Sequence, residues 1–176
     1  MVKLFYPYEY VPDVFSIDYK KLYLQGYKGI IFDIDNTLVH HGDNSTLEID
    51  NLFREIHNTG FKTLLLSNNS EERILRFIEN IDTIYIHEAE KPKTKGYKQA
   101  MKMLELEPSK VLFIGDQIFT DILGANLCNI NNILVKFIQL PEETKIGKRR
   151  QLEKLIIHLY MKNKKYQHRL GNILKK

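Results

Sequence analysis

The sequence predicts an α/β fold: a doubly wound, Rossmann-like parallel sheet of five strands with helices on both faces. Three observations point to it. Strand-length apolar runs alternate with segments of helical period. Cap and stop residues such as Gly60 and Ser70 stand at the joins. Acids, a small hydroxyl and a lysine follow the apolar runs, where such sheets hold ligands.

Residues 29–34 read as the first, buried strand. Residues 46–59 read as a helix whose Leu47, Ile49, Leu52, Phe53 and Ile56 keep a mainly helical spacing, with Gly60 just past its end. Residues 61–66 form the second strand. Ser70 caps a helix running to residue 79, with Ile74, Leu75 and Phe77/Ile78 on its apolar side. Residues 83–86 make a short third strand, and 94–104 a helix bearing Tyr97, Ala100, Met101 and Leu104. Residues 111–114 and 132–135 are the fourth and fifth strands, with a helix from about residue 120 between them. In 150–161, Leu152, Leu155, Ile156 and Leu159 fall at i, i+3, i+4 and i+7, the pattern of an amphipathic helix.

A chain of 176 residues, 43% hydrophobic and 27% charged, suits one soluble domain with a single core. It divides into an N-terminal leader packed on the core (1–28), a core (29–140) and a basic C-terminal helix and tail (141–176). No apolar run approaches the roughly 18 residues needed to span a bilayer, and no secretory signal is visible. Cys128 is the only cysteine, which excludes an internal disulfide and suits a small core residue. A cytoplasmic protein is the simplest reading, with peripheral membrane attachment left open. The net charge of +4 is uneven: residues 141–176 hold eleven Lys or Arg against three Glu. Such a region suits an anionic partner, or else a solvated helix face with a mobile end.

Chemistry-bearing residues follow four strands: Asp33-Ile34-Asp35-Asn36-Thr37; Ser67-Asn68-Asn69; Lys91-Pro92; and Gly115-Asp116 with Asp121. With the strand ending between Asp33 and Asp35, one carboxylate can attack while the other gives and takes a proton. Asp33, Asp35 and Asp116 cannot all stay ionised without a counter-charge, and Mg²⁺, which takes oxygen ligands, is the natural one. Taken singly, Ser67, Asn36 and Asn68 are turn residues, Lys91 is a surface lysine, and His40 and His41 are loop histidines. Phe5, Tyr6, Tyr8 and Tyr10 suit either a membrane interface or the core, the core more readily. The ordered set is the specific signal.

That set resembles the four motifs of the haloacid dehalogenase (HAD) phosphatases over about residues 29–135. Ser67-Asn68-Asn69, Lys91-Pro92, Gly115-Asp116-Gln117 through Thr120-Asp121, Gly124-Ala125-Asn126 and Thr144-Lys145-Ile146 resemble its YqeG-like branch, subclass IIIA, as does the leader at residues 10–18. The resemblance implies an Mg²⁺-dependent phosphatase working through an aspartyl-phosphate. Asp33 would be nucleophile and metal ligand. Asp35 would be acid/base and ligate the metal through its carbonyl. Ser67, Asn68 and Lys91 would meet the phosphoryl group, and Asp116 would ligate the metal. Asp121 and Thr37 would support them from behind. The start of the helix near Ser70 would aid phosphate binding.

Asp33 and Ser67 are 34 residues apart, and Ser67 and Lys91 are 24 apart. Predicted elements fill both intervals, so no cap domain fits and the site is expected to be open. The YqeG-like branch resembles enzymes that dephosphorylate phosphatidylglycerophosphate, which would place the basic region on an anionic membrane. A nucleic-acid end or a soluble metabolite is the alternative substrate. A non-catalytic RNA-binding protein on the same scaffold is the reading from another class.

Overall fold

The computed structural model describes residues 2–143 and 147–175. The Thr144-Lys145-Ile146 motif lies outside the described residues.

Six strands form one all-parallel sheet in the order β1-β6-β5-β2-β3-β4. They are β1 (Glu9–Val11), β2 (Gly29–Phe32), β3 (Lys62–Leu66), β4 (Ile84–Ile86), β5 (Val111–Gly115) and β6 (Asn131–Val135). The helices are α1 (Tyr19–Leu24), α2 (Leu47–Thr59), α3 (Glu71–Phe77), α4 (Thr94–Leu104), α5 (Leu123–Leu127) and α6 (Lys148–Lys162). From β2 the chain winds outward through β3 and β4, then crosses back to β5 and β6 on the other side, where β1 from the leader pairs along the outer edge of β6. The winding therefore reverses between β2 and β5, and a crevice opens there at the carboxyl ends of the strands.

The sixth strand corrects the expected five. Glu9-Tyr10-Val11 is too short and too mixed to signal a strand; its order comes from pairing in register with Ile133, Leu134 and Val135 of β6. The leader thus supplies a strand and α1, which carries its own cap: Asp18 accepts from Lys21 N–H at 2.9 Å.

Along β2 and β3 the side chains alternate between two cores. Ile30, Phe32 and Leu65 face one layer with Phe53, Ile56 and Phe77; Ile31, Leu64 and Leu66 face the other with Tyr97, Ala100 and Phe113. Burying each leucine, isoleucine or phenylalanine among them contributes about 1.5–3 kcal/mol. On α2 the expected apolar stripe is buried except for Leu47, which is exposed. Thr46 caps this helix, and Gly60 ends it at φ 109°, a left-handed conformation that favours glycine. Ser70 caps α3, which stops at Phe77, short of the expected residue 79.

The last described residues, 170–175, are packed against the rest of the fold. Leu170 and Ile173 are buried in the core, Asp18 N–H donates to the Ile173 carbonyl at 2.7 Å, and Lys175 N–H donates to the Ser16 carbonyl at 2.9 Å. Tyr6 is buried against Tyr160 and Tyr166, and Phe5, Tyr8 and Tyr10 pack partly on the core. Among the described residues no helix is long and apolar enough to cross a membrane.

Candidate active site

Asp33 lies one residue past β2, and its N–H still donates to the Ile114 carbonyl of β5 at 2.9 Å. Asp116 lies one residue past β5. The two strands pair in register, so both carboxylates reach the crevice at the winding reversal. Lys91 follows β4. Asp121 sits in a π-helical turn (Ile118–Ile122), closed by Ile122 N–H donating to the Gln117 carbonyl. An alanine Cβ at Gly115 would lie 2.5 Å from Asp121 Oδ2, so glycine is what lets Asp121 come this close.

The carboxylate oxygens are divided between partners. Asp33 Oδ1 takes Lys91 Nζ at 2.6 Å, and the same ammonium donates to Asp121 Oδ1 at 2.7 Å. Asp116 Oδ2 takes the Arg150 guanidinium, which also donates to the Asp116 carbonyl at 2.9 Å. The other two oxygens, Asp33 Oδ2 and Asp116 Oδ1, both face the Thr37 hydroxyl, at 3.1 and 3.2 Å. A single hydroxyl proton serves one of them at a time. Thus the outer oxygens are neutralised by side-chain cations and the inner pair converges without one.

Asp33, Asp116 and Asp121 offer carboxylate oxygens all within 4.8 Å of one another, and all three residues are buried. Burial, and then repulsion from Asp121, push the Asp33 carboxyl up to about 6 against the pull of Lys91. Burial, followed by Asp33 and Asp121, pushes Asp116 well above the usual carboxylate range, against the opposing pull of Arg150. Both shifts begin with burial, and both are enlarged by neighbouring carboxylates that outnumber the cations Lys91 and Arg150. A hard divalent cation with oxygen ligands fits this donor set.

Asp35 points elsewhere. A turn with Asn36 at φ 60° carries it away from Asp33. Its carboxylate accepts from Gly42 N–H at 3.1 Å, Asn69 Nδ2 at 2.5 Å and Arg73 Nη2 at 3.0 Å. Burial pushes this carboxyl up, but those three donors more than offset it and hold Asp35 below its ordinary value. Ser67, fully buried, accepts from Asn69 N–H and Nδ2, leaving its own proton to donate. Asn68 has its side chain committed to the Lys91 backbone: Oδ1 accepts Lys91 N–H at 2.7 Å and Nδ2 donates to its carbonyl at 3.4 Å. Through these two bonds Asn68 grips the Lys91 loop. The first turn of α3 carries Glu71 and Glu72, both exposed, and Glu71 accepts from the Tyr85 hydroxyl at 2.8 Å.

Two residues of this site carried no sequence signal. Arg73 on α3 is buried, and its Nε and Nη1 have no hydrogen-bond partner among the described residues. Arg150 on α6 is held by Glu153 at 2.9 Å and lies 4.8 Å from the centre of the Phe137 ring. Both are arginines in helices whose placement depends on packing. Arg150 lines a cavity of about 520 Å³ together with Asn36, His40, His41, Phe137 and Glu143. His40 is tied to Glu143 at 2.9 Å, while His41 is exposed, 3.4 Å from Asp35.

A family model of haloacid dehalogenase-like hydrolases matches residues 43–129, a stretch holding Ser67, Lys91, Asp116 and Asp121. "Probable phosphatase YqeG" of Bacillus subtilis (strain 168) is 36% identical over 156 residues, 88% of this chain and 91% of that protein. Three solved structures share the fold. An uncharacterised protein from Listeria monocytogenes serotype 4b has a TM-score of 0.53 at 18% identity, covering 77% of this chain and 99% of its own. A haloacid dehalogenase-like hydrolase from Brucella suis 1330 has 0.51 at 12%, covering 68% and 92%. NagD from E. coli K-12 has 0.51 at 12%, covering 69% and 93%. With the buried acids at the winding reversal and a relative of this identity along nearly its whole length, the chain belongs to the haloacid dehalogenase-like hydrolases, in the YqeG-like phosphatase family.

Proposed function

We propose that this enzyme is an Mg²⁺-dependent phosphatase that hydrolyses phosphate monoesters through a phosphorylated Asp33. The observation that carries the reading is the division of oxygens described above: Lys91 and Arg150 take the outer oxygens, and two inner oxygens converge with charge left over. Asp33, Asp116 and the carbonyl of Asp35 would hold the metal, which when bound neutralises charge on the phosphoryl oxygens. Asp121 and Thr37 stand behind this set, Asp121 orienting Lys91 and Thr37 bridging the inner oxygens.

Asp33 attacks phosphorus, and the ester P–O bond breaks as the new carboxyl O–P bond forms. Lys91 offsets charge on both nucleophile and phosphoryl group. Ser67 donates its hydroxyl to a phosphoryl oxygen. Asp35 gives the leaving oxygen its proton, then takes one from the water that hydrolyses the acyl phosphate. Arg73 and Asn69 favour ionised Asp35; the negative charge of an arriving phosphate opposes them and brings the carboxyl toward protonation.

The intervals between the motifs hold only α2 to β4, with no inserted cap. An uncapped site suits an ester presented on a surface, and phosphatidylglycerophosphate is the substrate we favour. The test uses a chromogenic phosphate monoester with Mg²⁺, then the phospholipid in mixed micelles. Turnover by the wild type that falls to background in Asp33→Asn is expected. Full activity in that variant, or no wild-type turnover with any divalent metal, would overturn the mechanism. Chromogenic turnover with an inert phospholipid would overturn only the substrate.

A further inference from the structure

The apolar stripe of α6 faces outward. Leu152, Leu155 and Leu159 are 49%, 54% and 46% exposed, whereas the same helix buries Glu153 and Tyr160. At i, i+3 and i+7 the three leucines share one face. Lys148, four residues before Leu152, and Lys162, three after Leu159, continue that strip and are exposed. Glu153 is the only acid of the helix, and it turns inward to Arg150 and the Phe119 N–H. The outward face is therefore leucine and cation with no acid. Exposed Lys164 and Lys165 extend the charge into the next turn.

We infer that this face of α6 docks the protein on an anionic lipid bilayer. Leucines that enter the headgroup boundary and cations that meet anionic headgroups are the two halves of an interfacial helix. The charge alone would suit nucleic acid, but the leucines would then lie idle. A second copy meeting this face through a twofold axis would bring like charges together. The same helix delivers Arg150 to Asp116, two residues before Leu152, so the docking element and the catalytic site are mechanically one piece. The inference deepens the reading of an open site that meets its substrate on a surface, yet it can fail separately.

The experiment is co-sedimentation with vesicles of phosphatidylcholine plus phosphatidylglycerol, and with phosphatidylcholine alone. Wild type is expected to bind the mixed vesicles, to be released by salt, and to ignore the neutral ones. The triple variant Leu152→Ser, Leu155→Ser, Leu159→Ser should lose at least about tenfold in partitioning, as should the pair Lys148→Glu, Lys162→Glu. Both should keep chromogenic phosphatase activity, and the charge pair carries the test if the leucine variant misfolds. The proposal is overturned by a wild type that stays in solution, by variants that bind as well as wild type, or by a wild-type dimer that both variants dissolve. Vesicle binding without any hydrolysis would instead overturn the catalytic reading and leave this one standing.

Discussion

Arg150 shows how a single side chain links the two ends of the argument. Its guanidinium occupies the outer oxygen and the carbonyl of Asp116 while Glu153, buried beneath it, holds it in place. A partner of this kind orients a ligating carboxylate and keeps the inner oxygen turned toward Asp33. Truncating it leaves Asp116 free to rotate. Arg150→Ala is expected to weaken Mg²⁺ binding by about 10–100-fold, read from the rise in thermal midpoint as Mg²⁺ is titrated without substrate. Arg150→Lys, which keeps charge but loses the fork, should fall between. An unchanged Mg²⁺ midpoint in Arg150→Ala would show that the contact with Asp116 does not serve the metal site. Arg73 plays the corresponding part for Asp35, bridging its carboxylate and the Asp43 carbonyl at 2.6 Å.

Among the elements, the turn after β5 is the most exacting. Its π-helical geometry aims Asp121 back across the strand end, where Oδ1 meets Lys91 and Oδ2 accepts Gln117 N–H at 3.0 Å. A methyl group at Gly115 would press into that carboxylate. Gly115→Ala is therefore expected to cost about 1–3 kcal/mol of stability and to lower turnover by displacing Lys91 through Asp121. Denaturant unfolding and the chromogenic assay read the two effects, and wild-type turnover in this variant would mean that the turn tolerates the shift. The α6 helix makes the opposite point. Its period was correct, but period alone does not say which side faces the core. The stripe of leucines looks outward, and the inward side is organised by Glu153, Arg150 and Tyr160.

In the whole molecule, the segments outside the central strands close the structure around the site. The leader pairs β1 with β6, and Glu9 in it accepts the Leu170 N–H at 2.9 Å. The chain's last described residues return to the leader through Ile17 and Leu174. Ile173 is buried in the main core, so Ile173→Ala is expected to cost about 2–5 kcal/mol in a denaturant titration. A loose tail would give no change. The described part of the basic region is in this way a packed layer, with Arg150 turned into the site and Lys148, Lys154, Lys162, Lys164 and Lys165 exposed.

Much of the site could be read before the fold was known. Asp33, Ser67, Lys91, Asp116 and Asp121 each follow an apolar strand, and local pattern places a strand end reliably because burial on both faces demands an unbroken apolar run. The helices capped by Thr46 and Ser70 were legible for the same local reason. Arg73, Arg150, the strand at Glu9–Val11 and the outward turn of the α6 leucines were not legible. Each depends on what a distant segment places opposite it: a carboxylate from another strand, an unpaired sheet edge, or a core already filled by other side chains. Local chemistry therefore sufficed to name the residues that gather at the carboxyl ends of the strands. The partners that hold them, and the surface left over for docking, came from packing between segments far apart in the chain, which no local pattern encodes.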